Sequence, residues 1–343
     1  MDIQTLTVTR YGDFRAGMRM ASRPMPQPKA GEVLAEVHFV GLNPHDCKLA
    51  AGEMQRQEPK QLPYVPGNEF AGIVRQVGTC VTRFKPGDAV FGMTDAALTE
   101  LCVAKEHLLV SLPPNVPPEG AAGISVVGMT VLQAFARAGG IKPGHKVLIH
   151  AGAGGVGSFA IQYAKLKGAK VFTTVSPRNE EMVCALGADV VIDYHKTNPR
   201  DVCSGLDIVF DTLGGATGLA AFEIVRPGGQ VVGVAPAEIN RQVLQEFDLP
   251  GWVTWLAALK PSRISRLKRR YKVDYNFIFM RPDPAGLDEL ARLLTSGAIK
   301  PLTDRIVPFA KAVEAFEYLS SGRAKGKVIV DIKSHGTGVS HHA

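Results

Sequence analysis

Along the first 120 or so positions, apolar residues come in short β-type runs, at 33–40, 71–77 and 89–91. Gly and Pro punctuate them, with turn signals at Lys29-Ala30-Gly31 and Lys85-Pro86-Gly87-Asp88. Many short strands separated by such turns predict a partly open β-barrel rather than a parallel sheet. The pattern changes near Ser125, where apolar runs of strand length begin to alternate with helical segments. Strands are expected at 147–150, 171–175, 190–192, 208–211, 231–234 and 276–279, and helices at 155–167, 180–186 and 216–225. Gly187 stops the second helix, and the third is expected to end before Pro227-Gly228-Gly229. Six buried strands with helical crossovers predict an α/β domain with a doubly wound parallel sheet. Beyond Pro282 the pattern gives helices at 285–296 and 310–321 and a strand at 328–332, and the polar stretch after Ser334 is expected to fray.

The segment Lys146-Val147-Leu148-Ile149-His150-Ala151-Gly152-Ala153-Gly154-Gly155-Val156-Gly157 places a G-x-G-x-x-G motif, Gly152, Gly154 and Gly157, between an expected strand and an expected helix. That context is what a dinucleotide needs. One glycine makes the turn, one lets backbone approach a pyrophosphate, one lets helix and strand pack, and the helix start offers N–H groups to the anion. The other reading is a glycine-rich turn with no ligand. An NAD site usually carries Asp or Glu at the end of the next strand, to bind the ribose 2′-hydroxyl. This chain has Thr173-Thr174-Val175-Ser176-Pro177-Arg178 there, with no carboxylate before Glu180. A hydroxyl and a guanidinium suit a 2′-phosphate, so NADPH is expected over NADH. The alternative is a solvated Arg178 in a surface turn.

Composition narrows the class. With 45% hydrophobic and 21% charged residues, the 343-residue chain is not disordered. No apolar run reaches the roughly 18 residues of a membrane span. The start Met1-Asp2-Ile3-Gln4-Thr5 lacks the basic and apolar parts of a signal peptide, which leads to a cytoplasmic expectation. The five cysteines, Cys47, Cys80, Cys102, Cys184 and Cys203, are odd in number and contain no C-x-x-C pair, which argues against a disulfide framework or a structural zinc lobe. Lys plus Arg is 39 and Asp plus Glu is 32, a net +7. The window 249–273 alone holds seven cations, Lys260, Arg263, Arg266, Lys268, Arg269, Arg270 and Lys272, and no acid, so the remainder is 32 against 32. Charge confined to one segment does not describe a nucleic-acid-binding protein.

Further segments carry a resemblance over about residues 1–333: Gly41-Leu42-Asn43-Pro44-His45-Asp46, Pro66-Gly67-Asn68-Glu69-Phe70-Ala71-Gly72, Phe84-Lys85-Pro86-Gly87-Asp88-Ala89-Val90 and Gly128-Met129-Thr130. Leu186-Gly187-Ala188-Asp189, Ile192-Asp193-Tyr194, Asp211-Thr212-Leu213-Gly214-Gly215 and Gly322-Arg323-Ala324-Lys325-Gly326-Lys327 continue it. With the glycine turn, these motifs resemble the zinc-independent medium-chain dehydrogenases/reductases, the quinone oxidoreductase (zeta-crystallin-like) group. The resemblance implies a GroES-like catalytic domain, 1–124 with 281–334, and an NADP-binding Rossmann domain, 125–280. To these the charge pattern adds a basic helical insert at 249–273 and a flexible tail at 335–343. In zinc alcohol dehydrogenases of this superfamily, Cys and His stand where this chain has Asn43 and Asn68. Amides are poor zinc ligands, so no metal is expected and a zinc-type alcohol dehydrogenase is disfavoured, although Cys47 and His45 lie near that site.

The activity implied is hydride transfer from NADPH to a quinone or an α,β-unsaturated carbonyl, in a homodimer. The same resemblance implies roles for individual residues. Asn43 would donate to a substrate oxygen, its other reading being a turn-forming Asn before Pro. Tyr64 and Lys48 are lesser candidates for the proton source. Thr130 would touch the nicotinamide, and Gly155 and Val156 the pyrophosphate. Ser176, Arg178 and Tyr194 would surround the 2′-phosphate. Phe277 and Phe279 would approach the nicotinamide half or simply fill the sheet core, and Arg323 or Lys325 would reach back to the cofactor or stay solvated.

In the basic window, Trp252, Trp255, Leu256 and Leu259 fall on one helical face before Pro261, and Ile264, Leu267 and Tyr271 form a second stripe. It reads as a helical lid packed over the cleft edge, as a membrane-surface element, or, least well, as a nucleic-acid contact. A cofactor-bound sensor acting through this surface with little turnover is the alternative to an enzyme.

Overall fold

The computed structural model describes residues 1–249, 251–258 and 262–334. The strands run in chain order as β1 (Asp2–Val8), β2 (Met18–Pro24), β3 (Glu32–Leu42), β4 (Glu69–Val77), β5 (Ala89–Met93), β6 (Leu101–Lys105), β7 (Leu109–Ser111), β8 (Lys146–Ile149), β9 (Lys170–Val175), β10 (Val190–Asp193), β11 (Leu206–Asp211), β12 (Val225–Gly233), β13 (Asp274–Phe277), β14 (Thr303–Pro308) and β15 (Lys327–Asp331). They belong to two compact units, Met1–Val126 with Pro282–Ala343, and Val127–Arg281.

In the first unit a seven-stranded sheet has the order β14-β15-β3-β4-β5-β7, with β6 also on β3, and β1 and β2 form a separate antiparallel pair. β3 organises the sheet. One edge pairs with β4, while the other pairs with β6 over Glu32–Glu36 and with β15 over Phe39–Leu42. Val33, Ala35, Val37, Val40 and Leu42 are buried on it, and Phe316, from the helix Ala312–Ser320, joins the same core. This largely antiparallel sheet, fed by short strands, matches the sequence expectation. The β1–β2 pair and β14 escaped it, as did the helix Pro44–Ala51.

The second unit is a six-stranded parallel sheet in the order β10-β9-β8-β11-β12-β13, the doubly wound arrangement expected. Val147, Leu148 and Ile149 are fully buried, as a strand covered on both faces requires. One expectation fails. The helix anticipated at 216–225 is Gly215–Ala220, and β12 already begins at Val225, so Pro227-Gly228-Gly229 lies inside a strand. The pairing of β11 with β12 shifts register between Leu206 and Ile208, and this irregularity accommodates a proline that has no N–H to donate. The basic window forms two helices, Gly251–Ala258 and Arg263–Tyr271. Ile264 is buried in the unit's core, with Leu267 and Tyr271 packed against it, while Trp252 and Trp255 are exposed. Leu259, Lys260, Pro261, the side chain of Leu256 and the tail from 335 lie outside the described residues.

Candidate active site

The nucleotide side is assembled at the C-terminal ends of adjacent parallel strands. β8 pairs with β9 as far as Ile149 opposite Thr173, and β9 pairs with β10 as far as Val175 opposite Asp193. The glycine turn, the 176–178 segment and Tyr194 therefore follow three neighbouring strands at one sheet edge. At the turn Ala151 adopts a left-handed φ of 52°, unusual outside glycine, and its N–H is held by Thr174 Oγ1 at 3.2 Å. A Cβ on Gly152 would stand 2.0 Å from Thr173 Oγ1, and one on Gly157 would stand 2.3 Å from the Ala151 carbonyl. These two glycines are demanded by packing. Gly154 is not, since its Cβ would meet nothing nearer than 3.5 Å, so the space above it is left open by the protein itself. Gly154 caps the helix Gly155–Leu166 without any side-chain hydrogen bond, which leaves the N–H groups around Gly155 and Val156 to an outside anion. His150 is driven down to about 4 by burial, so it stays neutral and brings no cation to the turn.

Ser176 Oγ accepts from Asn179 Nδ2 at 3.1 Å, keeping its own O–H as a donor. Arg178 is exposed, and among the described residues no carboxylate pairs with it. Asp193, at the end of β10, accepts the His195 N–H on Oδ1 at 3.0 Å, while its Oδ2 is buried without a hydrogen-bond partner among the described residues. Tyr194 is exposed, with its ring 4.2 Å from that of His195. Thr130 is buried on the helix Ser125–Arg137. Phe277 lies in the core of the unit, 5.7 Å from the Phe247 ring, and Phe279 packs on the same cluster, so the sheet-core reading accounts for both.

The first unit holds a buried polar cluster that begins where β3 ends. Leu42 lies opposite Val328, which sets Asn43 beside Lys327, the first residue of β15. Lys327 Nζ donates to the Leu42 carbonyl at 2.8 Å, to Asn43 Oδ1 at 2.7 Å and to Glu69 Oε1 at 2.8 Å, so all three ammonium hydrogens are used. Asn43 Nδ2 donates to the same Glu69 oxygen at 2.8 Å, and Glu69 Oε2 accepts the Val126 N–H at 2.9 Å. Glu69 is 0% and Lys327 6% exposed. An ammonium can only donate and a carboxylate only accept, so the Asn43 amide is held with its oxygen toward Lys327 and its nitrogen toward Glu69. One Nδ2 hydrogen remains. Gly41 makes room for the pair, because a Cβ there would come within 2.9 Å of Glu69 Oε1.

Around this cluster Asp46 Oδ2 accepts the Asn43 N–H at 2.8 Å, while Asp46 Oδ1 and the Tyr64 hydroxyl are buried atoms without a partner among the described residues. Burial raises Asp46 to about 6, against the pull of His45, the Asn43 N–H and Lys327. Burial likewise raises the Tyr64 phenol, so it is protonated at neutral pH. His45 Nε2 lies 2.9 Å from Glu58 and its Nδ1 3.2 Å from Asn68 Nδ2. Burial alone would raise Glu58, but hydrogen bonds from His45 and Lys60 outweigh it and hold the carboxylate at about 2. Lys48 is exposed on the helix Pro44–Ala51, and Arg323 is exposed in the turn after Ala312–Ser320.

These residues do not suit zinc. Asn43 is committed to an ammonium and a carboxylate, both His45 nitrogens are engaged, and Cys47 is buried in the core with its thiol pushed up to about 12. Among the described residues no three His, Cys, Asp or Glu side chains converge as a metal site would need. Sequence reasoning overlooked Lys327, Glu69 and Asp46 as site residues. The available signal was a Lys and a Glu each opening a strongly apolar strand, where an unpaired charge would be costly.

Comparison with known proteins agrees with this geometry. Residues 29–114 match the alcohol dehydrogenase GroES-like domain, and residues 186–330 match the family described as zinc-binding dehydrogenase. A chloroplast envelope quinone oxidoreductase homolog of Arabidopsis thaliana is 31% identical over 342 residues, covering 96% of this chain and 98% of that one. An NADPH-dependent alkenal/one oxidoreductase of the same plant is 32% identical over 320 residues, covering 89% of this chain and 73% of that one. The solved quinone oxidoreductase of Coxiella burnetii superposes with a TM-score of 0.85 at 27% identity, covering 97% of this chain and all of that one. The two-unit fold, the ordered motifs and these full-length likenesses converge: the chain belongs to the quinone oxidoreductase group of the medium-chain dehydrogenases/reductases, a family of oxidoreductases.

Proposed function

We propose that this protein is an NADPH-dependent reductase of quinones or α,β-unsaturated carbonyls that works without zinc. The observation that carries the reading is the sheet edge formed by β8, β9 and β10. An uncapped helix start lies over open space at Gly154, and the end of the next strand carries a Ser176 hydroxyl and an exposed Arg178 that no carboxylate pairs with among the described residues. The N–H groups at Gly155 and Val156 would hold the pyrophosphate, and Ser176, Arg178 and Tyr194 would surround the 2′-phosphate. When bound, the reduced nicotinamide supplies the hydride, and the protein contributes positioning and electrostatics.

Without a metal to polarise a carbonyl, the substrate must already be electrophilic. Hydride arriving at the β-carbon of an enone places negative charge on its oxygen, and the remaining Nδ2–H of Asn43 is the donor for that oxygen. Its direction is set by Lys327 and Glu69. The Tyr64 hydroxyl, which has no partner among the described residues, is the leading candidate to return the proton, with Lys48 the second. On the family resemblance the protein acts as a homodimer, and a cytoplasmic location is part of the same proposal. No helix among the described residues is long and apolar enough to cross a membrane.

The test is NADPH and NADH consumption at 340 nm against a panel of quinones and enones, for the wild type and Arg178→Ala. Turnover with NADPH is expected, and the variant should raise KM for NADPH by about tenfold or more while leaving NADH unchanged, as loss of a charge-assisted bond predicts. Equal use of both cofactors would remove the specificity. No turnover across the panel would favour a cofactor-bound sensor.

A further inference from the structure

We propose that the second unit carries a docking surface for anionic lipid bilayers, built from the helix Arg263–Tyr271 and the exposed tryptophans of the helix Gly251–Ala258. The first helix is held firmly. Ile264 is buried beneath it, Leu267 and Tyr271 pack on the core, and the Glu238 carboxylate accepts the N–H groups of Arg263 and Ile264 at 3.1 and 3.0 Å and the Ser262 hydroxyl at 2.8 Å. Anchored from below, the helix turns its cations outward. Arg263, Arg266, Arg269, Arg270 and the following Lys272 are exposed, and Lys268 is paired with Asp274 at 3.1 Å. Among the described residues, Arg266, Arg269, Arg270 and Lys272 have no acidic partner. A fixed row of four cations without acidic partners among the described residues is complementary to a surface of like anionic groups.

The second observation separates a bilayer from other polyanions. On the neighbouring helix Trp252 and Trp255 lie three residues apart, hence on one face, and are 68% and 62% exposed. Thr254 of that helix is buried, with its hydroxyl donating to the Gly251 carbonyl at 2.8 Å. Large amphipathic rings left in water on the helix that precedes the basic one in the chain are the residue type that seats an element in the headgroup region. Nucleic acid would be gripped by the cations but gives no reason for two solvent-facing indoles at this place. The proposal stands apart from the oxidoreductase reading, since none of these residues belongs to the cofactor or substrate sites.

Trp252 and Trp255 are the only tryptophans of the chain, so its intrinsic emission reports on this surface alone. Full-length protein is mixed with vesicles of phosphatidylcholine, with or without phosphatidylglycerol. Emission should shift to the blue, and the protein should sediment with the anionic vesicles only, with added salt reversing both effects. Arg266→Glu/Arg269→Glu/Arg270→Glu should weaken binding by roughly a hundredfold or more, since each reversal removes a favourable contact and adds a repulsive one. Turnover of a water-soluble quinone by that variant should be unchanged, which also shows that it folds. Trp252→Ser/Trp255→Ser should sediment less while keeping the salt dependence. The proposal is overturned by no sedimentation with anionic vesicles at low salt, or by binding indifferent to charge reversal. A blue shift that follows protein concentration without vesicles would mean self-association instead, and preferential retention by a single-stranded RNA would mean a nucleic-acid surface.

Discussion

Lys327 and Glu69 are buried together and joined at 2.8 Å. Removing one member of such a pair typically costs about 3–5 kcal/mol, because the survivor stays desolvated and unpaired. Lys327→Met is therefore expected to lower unfolding stability by about that amount, read by urea denaturation. Adding Glu69→Gln to it should recover part of the loss, because no lone charge then remains. Asp46 gives a prediction in pH. Its folded value of about 6 lies above the ordinary 3.8, so the folded protein binds this proton more tightly than the unfolded chain. Stability from this group is fully present below about pH 4 and is lost as pH rises to about 6, a span of about 3 kcal/mol at most. Asp46→Asn should flatten that part of the stability profile, and an unchanged slope would assign it to other groups. At this scale the sequence was least informative. At Lys327 the one local signal is the apolar run that follows it, and its partner Glu69 lies 258 residues away.

At the scale of elements, the glycine turn separates two reasons for a missing side chain. Gly157→Ala should damage the fold, since the new methyl meets the Ala151 carbonyl at 2.3 Å. Gly154→Ala meets nothing closer than 3.5 Å, so its melting temperature should hold. Its KM for NADPH should nevertheless rise by about tenfold, the equivalent of 1.4 kcal/mol, if that space takes the pyrophosphate as proposed. Elements were legible where one force dominated. β8 and β11 are covered on both faces and so stand out as continuous apolar runs. The helix 216–225 was overdrawn because Ala221, Phe222, Ile224 and Val225 suit either periodicity, and only the pairing of Val225 with Leu206 shows where the strand begins. β1 and β2 were missed because polar residues punctuate them and their pairing is read only from the fold.

For the whole molecule, the charge count places the excess of cations in one segment and leaves the rest balanced. Asn43 Oδ1 and both His45 nitrogens are already engaged, and among the described residues no three metal-ligating side chains converge. Prolonged dialysis against a chelator is accordingly expected to leave quinone turnover unchanged, and recovery of lost turnover by added zinc would show that the cluster can be rearranged around a metal. Amide exchange with and without NADPH should show protection at 151–157 and 176–178, the sheet edge where the phosphates would rest. The two-unit layout was legible because the pattern of the chain changes in kind near Ser125. The exchange of partners along β3 was not, because it depends on a strand arriving from the far end of the sequence.

That late arrival matters for a chain emerging from the ribosome. The stretch Val127–Arg281 is complete while β14 and β15 are still to be synthesised, so it can fold first. The other unit must wait with β3 half-paired and the Glu69 carboxylate without its counter-ion until codon 327 has been read. A premature stop near the end of the message would thus strand an open sheet edge and a buried anion together, a combination that chaperones and proteases are equipped to find.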